Sequence, residues 1–225
     1  MCARRLLARS SVMSSLAPSR RFAVLVPVKP SAVAKSRLLA LGDQVRRDLV
    51  VAFAVDTTTA ALGSSLVGAV LAVTDDVELA DELRQLGAQV IPDGTADDLN
   101  GSLVQAAAEA GRRWPELWVA ALCADLPALR TDELTRALAE APSGGASFVT
   151  DAAGVGTTMV VAPAHDLFVP RFGPRSRKAH LAAGAVELDL VDVPTLRRDV
   201  DTPADLSAAM ELGVGDQTSK VTAGL

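Results

Sequence analysis

The 225 residues, 49% hydrophobic and 3% aromatic with a formal net charge of -5, are enough to bury one full-sized α/β core and too few for two. The acidic balance excludes the usual basic binder of a nucleic-acid backbone, and no apolar run approaches the roughly 20 residues of a membrane-spanning helix. Cys2 and Cys123 are the only cysteines, which excludes a disulfide framework or a zinc site and fits a reducing, cytoplasmic setting.

Residues 1–21 carry Arg4, Arg5, Arg9, Arg20 and Arg21 with serines and no acid. The composition is superficially that of an organelle-targeting peptide, but a signal-peptide apolar core and cleavage site are missing. The segment reads as a disordered tail, or as a start assigned upstream of Met13, and is left out of the fold.

Phe22 to Val28 is a continuous apolar run, expected to be a strand buried on both faces, with Lys29 at its carboxyl end. Lys35 and Arg37 follow in a short loop with no acid before Asp43. Three cations beyond a central strand suit a polyphosphate, and a solvated basic loop is the bland alternative. Gln44 to Leu62 has helical spacing, in a stripe of Val45, Leu49, Ala52, Phe53, Ala60 and Leu62 that also takes in Asp56. Leu66 to Val73 predicts a second strand ending at Thr74, Val77 to Leu86 an amphipathic helix closed by Gly87, and Ala88 to Ile91 a third strand. A polar loop from Pro92 then leads into a helix over Leu103 to Arg112, with Asn100 and Ser102 placed either to cap it or to read a base edge.

The stretch Leu117 to Pro127 is again an apolar run, read as a buried strand, that ends abruptly in one carboxylate, Asp125, before Pro127 stops the ladder. An acid at the carboxyl edge of a parallel sheet either holds a metal or polar substrate group, or caps the next turn. After a helix from Thr131 to about Glu140, Ala146 to Thr150 and Thr157 to Val161 read as strands joined by a glycine-containing turn, so regular βαβ alternation gives way to a hairpin. Gly173 precedes a basic helix start at Ser176, a place for a phosphate or carboxylate, or an ordinary basic turn. Val186 to Leu190 is the last strand. Asp199 and Asp201, two apart on extended backbone, project to one side and with Asp125 make a candidate cation site. Thr202, Pro203 and Asp205 form a helix-start signature.

Taken together, Val26-Pro-Val-Lys29, Ala34-Lys-Ser-Arg37-Leu38, Asp98-Leu-Asn100, Ala124-Asp125-Leu-Pro127, Gly154-Val-Gly156-Thr-Thr158, Arg171-Phe-Gly173 with Ser176, and Asp199-Val-Asp201-Thr-Pro203-Ala-Asp205-Leu resemble the phosphoenolpyruvate or 2-phospho-L-lactate guanylyltransferase family of coenzyme F-420 (deazaflavin) biosynthesis. The resemblance implies a single-domain, nucleotidyltransferase-like (Rossmann-like) three-layer α/β fold over residues 22–215, with a mostly parallel central sheet, a hairpin insertion and a tail at 216–225. It further implies Mg2+ as cofactor on Asp125, Asp199 and Asp201, with Lys29, Lys35 and Arg37 on the triphosphate of GTP. Asp125 and Lys29 would be catalytic, Thr74 and Asn100 near guanine and ribose, and Thr158, Gly173 and Ser176 on the acceptor. The Gly-Thr-Thr and Arg-Phe-Gly-Pro stretches point to phosphoenolpyruvate as that acceptor, ahead of 2-phospho-L-lactate and 3-phosphoglycerate. A deazaflavin transferase would then act downstream. The reading from another class is a regulatory protein that binds nucleotide without turnover. Oligomeric state and the role of His180 stay open.

Overall fold

The structure, a computed structural model, describes residues 20–29, 42–95 and 98–224. Lys35 and Arg37 lie outside the described residues. Among these residues the strands β1 (Phe22–Pro27), β2 (Val67–Val73), β3 (Gln89–Ile91), β4 (Trp118–Leu122), β5 (Ser147–Thr150), β6 (Thr157–Ala162) and β7 (Val186–Glu187) make one sheet in the order β3-β2-β1-β4-β6-β5-β7. The helices are α1 (Asp43–Gly63), α2 (Val77–Leu86), α3 (Leu99–Arg113), α4 (Thr131–Ala139), α5 (Ser176–Ala182), α6 (Pro194–Arg197), α7 (Pro203–Leu212) and α8 (Asp216–Thr222).

Side-chain alternation along the central strands explains the three layers. Phe22, Val24 and Val26 of β1 join Ala120 and Leu122 of β4 on one face, covered by α1, α2, α4 and α6. Ala23 and Leu25 join Val119 and Ala121 on the other, covered by α3 and by Phe168. A strand apolar at every position needs cover on both faces, and each large side chain buried there contributes about 1.5–3 kcal/mol. β1, β2, β3 and β4 are parallel, so βαβ crossovers bring their carboxyl ends to one edge. β6 then inserts antiparallel between β4 and β5, which places the start of β6 beside the end of β4.

Several boundaries move for identifiable reasons. The third helix begins at Leu99 rather than Leu103 because Asp98 is its cap, accepting from the Gly101 amide at 2.9 Å; Ser102 is buried inside the helix. The last strand stops at Glu187: Leu188 still donates to the Phe148 carbonyl, but Leu190 turns back onto Leu188. Residues 216–222, expected as a tail, form α8. Its amino end is capped by buried Asp56, which accepts from Gln217 and Thr218 at 3.1 and 2.8 Å. Asp56 is thus a capping group rather than part of an apolar stripe. Arg20 and Arg21, counted with the leading tail, are tied to the domain: Arg21 donates to Val67 O, and Arg20 lies over the Trp118 ring and donates to Ala141 O. The box of Thr202 and Asp205 at the start of α7 forms as the sequence signals. No helix among the described residues is long and apolar enough to cross a membrane.

Candidate active site

The carboxyl ends of β1 and β4 face a pocket of about 170 Å3 lined by Pro27, Val28, Lys29, Val50, Phe53, Leu99, Cys123, Ala124 and Asp125. Asp125 reaches it because the backbone around it is held at three points. The Thr57 hydroxyl of α1 donates to Ala124 O at 3.3 Å and accepts from the Leu126 amide at 3.2 Å, and Val200 donates to Asp125 O at 3.1 Å. Thr57 is fully buried. Nothing in the sequence separates it from its neighbours Thr58 and Thr59, so its role is visible only in the fold.

The Val200 hydrogen bond also carries Asp199 and Asp201 alongside Asp125, joining residues 75 positions apart in the chain. The three carboxylates do not close into a cage: no group of three or more His, Cys, Asp or Glu side chains among the described residues is arranged to hold a metal ion. The donor set still fits Mg2+, which takes hard oxygen ligands and is usually held by one or two carboxylates, with waters and substrate phosphates completing the shell.

Lys29 enters the pocket from β1, but its ammonium is already engaged. It lies 2.5 Å from Asp93 Oδ2 and donates to Ser102 Oγ at 3.1 Å and to Thr95 O at 3.5 Å. Ser102 in turn donates to Asp93 Oδ1, and its hydroxyl pairs with that of Thr95 at 2.8 Å. Burial alone would raise the Asp93 carboxyl; hydrogen bonds from Lys29, Ser102 and the Thr95 amide outweigh it and hold the group below the usual range. A phosphate that recruits Lys29 must therefore compete with Asp93. Asp93 and Ser102 as Lys29 partners went unnoticed in the sequence, where each reads as loop polarity or a helix cap. Thr74 is buried at the end of β2, beside the end of β1, and accepts from the Asp76 amide at 3.2 Å.

The residues expected to receive the acceptor approach from the other side. Cys123, two residues before Asp125, donates its amide to Thr158 O at 2.8 Å. Thr158 is fully buried and its hydroxyl has no hydrogen-bond partner among the described residues. The hairpin before it is shaped by Asp151, whose carboxylate accepts from the amides of Val155 and Gly156, both at 2.8 Å; a Cβ at position 156 would run into that carboxylate. Gly173 has a φ of +131° with open space around it, so conformation rather than room calls for glycine. Arg175 adopts the left-handed region at φ 58°, uncommon for a residue with a side chain, and α5 starts immediately after it. The Ser176 and Arg177 amides are already bonded to Gly173 O and Val155 O, so the helix start offers an anion fewer free donors than its position suggests.

His180 is fully buried behind this loop. Its Nε2 accepts from the Arg171 amide at 2.9 Å, which leaves Nδ1 to carry the proton and donate to Thr157 Oγ1 at 3.0 Å. The ring stacks on Phe148 and meets the edge of Phe172. Burial, aided by the Arg171 charge, pulls its pKa down to about 4. The imidazole is a neutral brace for the loop, not a proton carrier at neutral pH. Asn100 likewise points away from a base-reading role: Nδ2 donates to Phe172 O at 3.0 Å and Oδ1 accepts from Phe172 N at 2.8 Å.

A parallel sheet with one antiparallel strand wedged beside the central strand that leads to Asp125 is a fold shared with solved nucleotidyltransferases. A nucleotidyl transferase from Methanothermobacter shares this fold at a TM-score of 0.58 and 17% identity, over 85% of this chain and 97% of that one. Within that class, the chain belongs to the family described as guanylyl transferase CofC like, whose family model matches residues 22–222. It is 49% identical over 211 residues to the phosphoenolpyruvate guanylyltransferase of Streptomyces scabiei, covering 91% of this chain and 97% of the relative. It is 47% identical over 202 residues to that of Thermomonospora curvata, covering 90% and 89%.

Proposed function

We propose that the protein transfers GMP from GTP to the phosphate of phosphoenolpyruvate, releasing pyrophosphate and forming enolpyruvoyl-2-diphospho-5'-guanosine, a step of coenzyme F-420 biosynthesis. The observation that carries this reading is the meeting of Lys29 and Asp125 at one pocket, with Thr158 bonded to the chain two residues before Asp125. The near full-length likeness to relatives named for that activity supports the choice of acceptor.

The chemistry asks little proton transfer of the protein. A phosphate monoester has a second pKa of about 6, so the attacking oxygen is already largely ionised at neutral pH. A histidine base is unnecessary, in keeping with the structural role of His180. What the chain must do is hold two anionic substrates in line and offset their repulsion. Lys29, with Lys35 and Arg37 that follow it in the sequence, neutralises the triphosphate, and Thr74 borders the nucleoside. Thr158, Gly173 and Ser176 receive the acceptor. Asp125, Asp199 and Asp201 would hold Mg2+, which when bound supplies charge neutralisation at the transferred phosphorus and the departing pyrophosphate.

The test mixes GTP and Mg2+ in turn with phosphoenolpyruvate, 2-phospho-L-lactate and 3-phosphoglycerate, and measures pyrophosphate and the guanylylated product. Turnover is expected to be fastest with phosphoenolpyruvate. A faster reaction with another acceptor would move the assignment to it, and nucleotide binding with no release for any acceptor would make the protein a regulatory binder.

A further inference from the structure

We propose that Asn100 is a positioning residue for the acceptor, holding residues 171–173, and through them Gly173 and Ser176, in the shape that receives it. The inference rests on the acceptor reading given above. The side-chain amide of Asn100 presents a donor and an acceptor side by side, and both are used on one residue: Nδ2 on Phe172 O and Oδ1 on Phe172 N. This is what a neighbouring strand would supply, delivered by a single side chain from α3. The other side of the same segment is held by His180, which accepts from the Arg171 amide. Beyond it, Ser176 closes back onto Gly173 O. The segment contains a glycine at positive φ and is followed by Arg175 at positive φ, so it has little regular structure of its own and depends on these two braces.

The same turn of α3 serves two sites. Ser102, two residues on, bonds Lys29 and Asp93 on the nucleotide side, whereas Asn100 is turned to Phe172 on the acceptor side. Few side chains can replace Asn100. Aspartate sets an acceptor against the Phe172 carbonyl, leucine bonds neither group, and glutamine is one methylene too long.

Two variants test the assignment, with wild type measured alongside and thermal melting confirming that each is folded. In Asn100→Ala, KM for phosphoenolpyruvate is expected to rise about tenfold, the loss of about 1.4 kcal/mol from the two hydrogen bonds. KM for GTP should stay within about twofold. In Asn100→Asp the introduced carboxyl regains a donor when it takes a proton, so the acceptor KM, relative to wild type at each pH, should fall back as pH is lowered from 8 to 4, with the change concentrated near the ordinary aspartate pKa of about 3.9. Normalising to wild type removes the contributions of Asp98, His180 and the acceptor phosphate, and a merely loosened fold would worsen over that range. The assignment is overturned if KM for GTP rises as much as that for the acceptor, if neither changes, or if acid fails to rescue Asn100→Asp. A wild type that binds GTP but forms no product with phosphoenolpyruvate overturns the functional reading as well; an active wild type with a GTP-specific defect in Asn100→Ala overturns this assignment alone.

Discussion

Over β1 and β2 an ion pair and two hydroxyls are tied to one another: Lys29 to Asp93, Asp93 to Ser102, Ser102 to Thr95. Over β4 and β6 they are neutral or belong to the backbone: a buried threonine hydroxyl, a glycine chosen for its φ, a neutral imidazole, an amide clamped to Phe172. Under the proposed function, the first arrangement would exchange partners when a phosphate arrives. The second would need less rearrangement. A charge that is mostly withdrawn from water is costly to leave unpaired, so the nearly buried Asp93 carboxylate and the part-buried Lys29 hold each other; under the proposed function, a loop that receives a small acceptor would gain more from being fixed in advance. Asp125 lies between the two halves and is held through Thr57 of α1 and through Val200, which packs against α1 beside Leu49 and Phe53.

The largest effect should come where the halves meet. Asp125→Asn is expected to lower metal-dependent kcat by at least about a hundredfold while the melting temperature stays close to wild type, since the backbone contacts around residue 125 do not use the carboxylate. Near-normal turnover in that variant would remove Asp125 from the proposed site.

A paired comparison then separates the halves. Lys29→Met should raise KM for GTP about tenfold and destabilise the fold by about 1–3 kcal/mol, because Asp93, with only 7% of its side chain exposed, loses its counter-charge. Ser176→Ala should raise KM for the acceptor several-fold and leave both KM for GTP and stability nearly unchanged. Steady-state kinetics with each substrate varied in turn, together with thermal melts, reads both; equal shifts in the two KM values for either variant would erase the distinction.

A pH dependence of stability that originates on the β4 and β6 side leaves activity at neutral pH untouched. His180 titrates near 4 in the folded protein against 6.5 for an ordinary histidine, so the unfolded chain binds the extra proton first. The stability this histidine contributes is complete above about pH 6.5 and is lost as pH falls towards 4, by about 3 kcal/mol at most. Chemical denaturation at pH 7, 5.5 and 4.5 should show this loss, and it should shrink in His180→Gln. A histidine variant with the same acid sensitivity as wild type would show that other groups cause it.

Much of this was legible in the chain itself. Continuous apolar runs at Phe22–Val28 and Leu117–Leu122 require strands covered on both faces, which is enough to specify a central parallel sheet and to leave Lys29 and Asp125 at its carboxyl edge. The Thr202 and Asp205 box and the Gly87 stop are local chemistry and form as written. The hydrogen bonds of Asn100 and of His180, whose role the sequence leaves open, depend by contrast on what lies opposite them 72 and 23 residues away, at Phe172 and Thr157. Side-chain type tells what an amide or imidazole can bond, never which partner it meets. Asp56, Thr57, Asp93 and Ser102 became capping, bracing and pairing groups only when α8, the end of β4 and the end of β1 were brought against them. Periodicity and end signals act within one element and survive in a one-dimensional reading. Partner choice among polar groups is settled by packing, because the same buried hydrogen-bonding need can be met by any suitable group that the fold brings within about 3 Å.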